Sequence, residues 1–525
     1  MKNIHQFNLP IASLLLFLFL GISLPEKKVM AHFPVETTKQ VTEESAPSAT
    51  DADVYELPTE ADDAESNLET EEELTDPYEI LVKADLLYTQ GNFEEAERLY
   101  RLVKEPFPEQ EEINFNEPVY EIEELYDPET ELAWQEIQTA WNGSRKEKRG
   151  LAPVLNEFIE TNPEFIPARL LLSDVYFDSK QRQEGLETLE QLVNTFPNSI
   201  EVVRSHIAAL EKRKKYLEAS ISARQYAIVN SEDDAEIAAE MTEVADKNFD
   251  RFQRQIKDQM VGQGVAGTAL RVGGCWLLRR CNPVGAVIGD TLSFGALMLQ
   301  GESGIGKRAA QSYSKELDIL ENEEILEYVT EIGNDLAELM GRDEFEYEFY
   351  VVKDDAINAF ALPGGKIFIN TGIILNTNSE AELAGLIAHE LAHTVLSHGF
   401  DGLVRGQLFN NVGQIVNSAL GSKFPIGTII SNLVDAKYNR AQERQADIVG
   451  TRVIANAGYA ADGVRNLMVT LEEKGGGSHT PELLSTHPAT EKRVRYLEAL
   501  IQRKGYNRYA YEGVEKHAQM QALLE

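Results

Sequence analysis

Cysteine is almost missing from this chain, at two residues in 525. Cys275 and Cys281 can supply neither a disulfide framework nor a cysteine-rich metal site. One local bridge and two separate thiols fit their spacing equally well. Basic charge is scarce too: 49 Lys and Arg stand against 87 Asp and Glu, a formal net charge of −38. Such an excess repels phosphates, which excludes nucleic acid as a partner and disfavours a broad surface for anionic lipid. Long apolar runs are missing beyond the N-terminus. The run from Pro10 to Leu24 is itself shorter than the roughly 20 residues a bilayer span needs.

What is present divides the chain, which is too long for one compact core. Lys2, the Pro10–Leu24 run and Val29-Met30-Ala31 have the form of a secretory signal peptide over residues 1–31, cut before His32. An uncleaved membrane anchor is the competing reading. The expected location is therefore outside the cytoplasm, in a periplasm or similar compartment. Residues 32–76 read as an acidic, disordered linker. Between Asp51 and Ile80 there are 13 acidic residues and no Lys or Arg, too little apolar surface to offset chain entropy.

Residues 77–250 turn helical and repetitive. Ala84, Leu87, Gly91, Phe93, Ala96, Tyr100 and Pro108 follow the offsets of a helix-turn-helix unit, and Pro163 and Pro197 lie 34 residues apart. The pattern resembles tetratricopeptide repeats, with an acidic insertion near 109–130. A surface for protein substrates or envelope assembly machinery is the expected use. Residues 251–310 form a Gly-rich apolar helical segment, expected to pack on the C-terminal domain, with peripheral membrane contact through 259–300 as the other reading. Gly301-Glu302-Ser303-Gly304-Ile305-Gly306-Lys307 matches a phosphate-binding loop up to its lysine. Arg308 stands where Ser or Thr would hold magnesium, and the preceding residues read as helix, so no nucleotide site is expected.

Residues 311–525 make the remaining domain. Phe345 to Val352 and Lys366–Asn370 read as strands, Ala361–Gly365 as a turn, and the rest as helix. Ser379 is placed to cap a helix running to Phe400. His389 and His393, four apart, fall within roughly 40° on one face of it. Two imidazoles so placed share one zinc ion, and Glu390 beside the first can act as general base toward a water on it. His398, about 140° from His393 on the same helix, should not reach that metal. A third ligand is required. Glu443 is the candidate, with Asp447 on the same face to orient a ligand histidine.

Asn358-Ala359-Phe360-Ala361-Leu362-Pro363-Gly364-Gly365, then His389-Glu390-x-x-His393, then Glu443-x-x-x-Asp447, then Ser485-Thr486-His487-Pro488 with Arg493, occur in the order seen in the M48 family of zinc endopeptidases. The resemblance covers roughly residues 310–503. It implies one zinc per chain on His389, His393 and Glu443, with Glu390 as catalytic base. It also implies a strand after Gly365 pairing with extended substrate. His487 is expected near the metal, either steadying an oxyanion or filling the open zinc position at rest. The implied fold is mainly α: a tetratricopeptide-like solenoid followed by an α+β zincin-type metalloprotease domain with a small sheet. The chain resembles exported, repeat-bearing members that act in envelope quality control. The competing function is an envelope chaperone or assembly factor with a latent protease site.

Overall fold

The computed structural model describes residues 75–108, 120, 122–125, 127–262, 299–405, 430–431, 433–434, 437–475 and 481–525. The expected signal peptide, the linker through Leu74, Cys275, Cys281 and residues 263–298 of the apolar segment lie outside them. Among the described residues no helix is long and apolar enough to cross a membrane.

Helices come in antiparallel pairs at the N-terminal side. Asp76 caps α1 (Pro77–Thr89), accepting from Tyr78 N, with Pro77 in the first turn. α2 (Phe93–Val103) follows after Gly91, whose φ of +82° suits a residue without a Cβ. Ala84 and Ala96 are fully buried where the two helices meet, and Tyr100 fills the space beside them. α3 (Pro128–Asn142) and α4 (Leu151–Thr161) continue the array around Trp134, Phe158 and Phe165. α5 (Ile166–Asp178) and α6 (Arg182–Thr195) then repeat as α7 (Ile200–Lys212) and α8 (Tyr216–Val229). The turns repeat as well: Lys180 and Lys214 both take a left-handed φ, at 65° and 60°. The period is the one that Pro163 and Pro197 mark in sequence. The long α9 (Ala235–Gly262) packs on α8.

The repeats share their core with the C-terminal half. Residues Glu71–Glu525 form one compact unit. Leu217 and Ile221 of α8 and Phe252 and Ile256 of α9 pack with Phe368, Phe400 and Leu433. Arg452 Nη1 donates to Val229 O, and Gln225 Nε2 donates to Leu396 O.

Gly301–Lys307 is the start of a helix, α10 (Gly301–Tyr313), with Lys307 paired to Glu346 at 2.8 Å; it is no phosphate loop. α11 (Glu323–Glu338) follows, capped by Asn322. A three-stranded sheet comes next: β1 (Glu348–Val352), β2 (Ala359–Leu362) and β3 (Lys366–Asn370), in the order β1-β3-β2. Two sequence expectations change here. Ala361 and Leu362 belong to a strand, and the turn is confined to Pro363–Gly365. Strand β3 is central, parallel to β1 and antiparallel to β2, so it has no free edge for substrate. Aromatic stacking sets this register: Tyr350, Phe368 and Phe360 are direct partners, with ring centroids 4.5 and 4.9 Å apart. Phe345–Tyr347 precede β1 rather than extending it.

The helix expected over 379–400 is two helices. α12 (Glu380–Val395) ends and α13 (His398–Arg405) begins across Ser397, at φ 59°. Tertiary contacts hold this break. Ser397 Oγ donates to Glu302, and Arg342 Nη1 donates to Val395 O. Every residue of α12 is buried, as befits a helix surrounded on all sides. α14 (Arg440–Asn456), α15 (Gly463–Gly475), α16 (Glu491–Lys504) and α17 (Val514–Ala522) complete the fold.

Candidate active site

Close helix packing builds the site. Gly450 of α14 lies against the backbone of α12; a Cβ there would sit 3.3 Å from His389 N. Glu443 and Asp447 precede Gly450 by seven and three residues on the same face, so both carboxylates face α12. Asn439 caps α14 in a reciprocal capping box with Gln442. This fixes the first turn, where Glu443 sits.

His389, His393, Glu443 and His487 converge, each offering one atom within 4.8 Å of the others. His389 Nε2 lies 3.1 Å from His393 Nε2 and 3.4 Å from His487 Nδ1. His487 Nδ1 lies 3.0 Å from Glu443 Oε1. The Glu443 carboxylate is 3.6 Å from each of the two α12 imidazoles. Three ring nitrogens and a carboxylate facing one point, all buried, fit a zinc ion by donor type and number. Two facing ring nitrogens need a proton or a cation between them. Glu390 points beside this group, its Oε1 buried without a hydrogen-bond partner and 3.6 Å from His487 Nε2. Burial pushes its carboxyl up, against the pull of His487 and His389.

A second ring of groups orients the first. His389 Nδ1 lies 3.2 Å from Asp447 Oδ1. Burial alone would lower this imidazole, but Asp447 and Glu443 outweigh it and hold it at about 9. Arg493 spans both acids, with Nε and Nη2 at 2.9 and 2.7 Å from Asp447 and Nη1 at 2.7 Å from Glu443. Burial would raise each carboxyl, yet both lie low: Glu443 through His389 and His487, Asp447 chiefly through Arg493. On the far side, His398 Nδ1 lies 3.0 Å from His393 Nδ1, and His398 Nε2 lies 3.0 Å from Gln445 Oε1. Burial lowers His398 to about 4, so it is neutral. A proton on His393 Nδ1, donated to His398, leaves His393 Nε2 free as a ligand atom.

The sequence expectations meet the structure as follows. His389, His393, Glu443 and His487 come together, Glu390 is beside them, and Asp447 touches His389. His398 stays out of the ligand group. Angular separation on one helix is not the reason, because the helix breaks before it; His398 turns back behind His393. Its support of His393 has no signal in sequence spacing. Tyr438 was also missed. Its ring stacks on His393 at 3.9 Å and lines the cleft with Asn358, Phe360, Leu433, Val434 and His487.

Comparison with known proteins finds relatives of the segment that carries these residues. The model of peptidase family M48 matches residues 325–501. This segment is a peptidase family M48 domain. The mitochondrial metalloendopeptidase OMA1 of Arabidopsis thaliana is 29% identical over 197 residues, 37% of this chain and 40% of that one. The putative beta-barrel assembly-enhancing protease of Vibrio cholerae is 25% identical over 223 residues, 40% of this chain and 45% of its own. Human metalloendopeptidase OMA1 is 28% identical over 201 residues, 36% and 38% of the two chains. The chain spans less than half the length of each of these three relatives. The M48 domain begins at Ile325, after α10, and stops before α17, so both of those helices lie outside it.

Proposed function

We propose that this protein is a zinc-dependent endopeptidase in which His389, His393 and Glu443 hold the metal and Glu390 is the general base. The observation that carries this reading is the convergence of His389 Nε2, His393 Nε2 and the Glu443 carboxylate, with Glu390 beside them. Zinc, when bound, supplies an acidified water. Glu390 takes a proton from the attacking water and returns it to the leaving amine. Burial raises its carboxyl, the direction that favours taking up a proton and passing it on. Asp447 and His398 keep the ligand imidazoles in the tautomers that face the centre. Arg493 holds Glu443 and Asp447 in place.

Substrate backbone would lie along β2, whose outer edge is unpaired among the described residues and which lines the cleft with Glu390 and His487. In the present state that cleft holds ≈ 10 Å³, about the room of one water. His487 Nδ1 sits among the ligand atoms, and Leu433, Val434 and Tyr438 line the cleft. This closure favours a gated enzyme at rest over one that is always open, and it suits a latent site that opens on demand. Export to the periplasm or a similar compartment, and action on unassembled or misfolded envelope proteins, are part of the proposal. The repeats are its partner surface, where Leu86 of α1 and Leu102 of α2 stand exposed. The similarity to the putative beta-barrel assembly-enhancing protease of Vibrio cholerae supports this role.

The test is zinc content and cleavage of an unfolded protein by wild type, Glu390→Gln and His393→Ala. Glu390→Gln should keep one zinc per chain and lose at least about 10²-fold in cleavage. His393→Ala should lose the zinc. Full zinc retention in His393→Ala overturns the ligand assignment.

A further inference from the structure

The turns within the helix pairs gather the basic charge that this chain otherwise has little of. Arg145-Lys146-Glu147-Lys148-Arg149 joins α3 to α4, Lys180 and Arg182 stand at the α5–α6 turn, and Lys212-Arg213-Lys214-Lys215 leads from α7 to α8. They hold ten Lys and Arg against one Glu, in a chain of 49 Lys and Arg against 87 Asp and Glu. Successive helices run antiparallel, so these three turns lie along one edge of the array. Arg213 Nη1 donates to Arg182 O at 2.6 Å, which joins two of the turns directly. The turns between pairs lie along the other edge. There Asn162–Phe165 and Phe196–Ser199 carry Glu164 and no Lys or Arg, and Asn230–Asp234 carries Glu232, Asp233 and Asp234.

The charge of the basic edge is available. Arg145, Lys146 and Arg149 are exposed, as are Lys180, Lys212 and Lys214. Glu147, the one acid within these turns, is engaged by the Ser144 N–H in the capping box of the one-turn helix Arg145–Lys148. Lys148 Nζ lies 4.2 Å from the Trp141 ring, which holds this turn against α3. Of the neighbouring acids, Glu211 pairs with Arg251 and Glu218 with Lys215. Asp178 and Glu184 are exposed beside the middle turn and offset its two cations, so the surplus sits at the two outer turns. The helices that separate the two edges have 11 to 15 residues, about 16–22 Å at 1.5 Å per residue. That is at least twice the roughly 8 Å over which physiological salt screens a charge. The acidic edge therefore does not cancel the basic one. A net charge of −38 excludes a broad basic face, not a narrow one.

We propose that this edge is a docking surface for a lipid bilayer with anionic headgroups. Cations at the tips of helix pairs protrude together toward a flat, extended surface, whereas a peptide is held in a groove between elements. Each Lys or Arg brought close to an anionic leaflet adds its own attraction, so the two outer turns act jointly. Docked in this way, the array stands edge-on to the bilayer with its acidic edge turned away.

The test is sedimentation of the full chain with vesicles of phosphatidylcholine, with and without phosphatidylglycerol, at physiological ionic strength. Partition should favour the phosphatidylglycerol vesicles by about 100-fold or more. Arg145→Gln/Lys146→Gln/Arg149→Gln and Lys212→Gln/Lys214→Gln should each lower that preference by about 10-fold or more. Lys212→Arg/Lys214→Arg keeps the charge and should keep the preference. All of these side chains are exposed, so urea midpoints should match wild type. The apolar run Pro10–Leu24 is common to every protein tested and cancels in the ratio between variants. Equal partition into the two kinds of vesicle overturns the proposal, as does an anionic preference that both Gln variants retain. Binding to soluble polyglutamate but not to vesicles, lost in the Gln variants, would assign the edge to an acidic protein and overturn it as well.

Discussion

Arg493 Nη1 lies 2.7 Å from Glu443 Oε2, and the same guanidinium grips Asp447 through two further nitrogens. One cation from α16 thus fixes both acids that α14 presents to α12. Arg493→Lys removes the planar fork that spans two carboxylates. Zinc should then be held about 10- to 100-fold more weakly, measured by competition with a chelator. Unchanged affinity would show that Glu443 is positioned by α14 alone.

His487 stands within the ligand group at 3.0 Å from Glu443 and 3.4 Å from His389. As a gate it excludes substrate, so His487→Ala should raise cleavage of an unfolded protein at matched zinc content. A loss of about 10²–10³-fold would instead assign it to oxyanion stabilisation.

Lys104, at the end of α2, is buried against Asp462 at 2.7 Å and against Glu512. Glu512 in turn accepts from Ser379 Oγ, the N-cap of α12, at 3.1 Å. The first helix pair is thereby tied to the start of the metal-site helix. Lys104→Met leaves Glu512 buried without its cation, while Asp462 keeps Arg508 at 3.1 Å, and should cost about 3–5 kcal/mol. Chemical denaturation reads the loss. Stability within experimental error of wild type would mean that Glu512 finds another partner.

His517 on α17 packs between Tyr328 and Thr377, with ring nitrogens 2.8 and 3.0 Å from their hydroxyls. Burial lowers its pKa to about 4, against about 6.5 in the unfolded chain. The unfolded state therefore binds the proton first as pH falls. The contribution of His517 is complete above about pH 6.5 and declines toward pH 4. Relative to His517→Gln, wild type should lose about 3 kcal/mol of stability across that window. A constant difference between the two proteins from pH 7.5 to 4.5 would refute the assignment.

Sequence alone determined the parts of this protein that depend on local spacing. His389 and His393 share a face because four residues make about one helical turn. Glu443 and Asp447 share a face for the same reason. The repeat period is visible in Pro163 and Pro197, and the structure carries it in the paired turns at Lys180 and Lys214. Only the tertiary structure decided what depends on distant partners. α12 ends at Val395 because Arg342 takes its last carbonyl and Glu302 takes Ser397; nothing within 379–400 announces a break. His398 reaches His393 only because of that break. Among the described residues β1 and β2 are the edge strands and β3 the central one, an order that brings Tyr350, Phe368 and Phe360 into one stack across the sheet. The repeats and the M48 domain share a core because Phe252 and Ile256 meet Phe368 and Phe400. Those contacts join residues more than a hundred positions apart, and no periodicity encodes them.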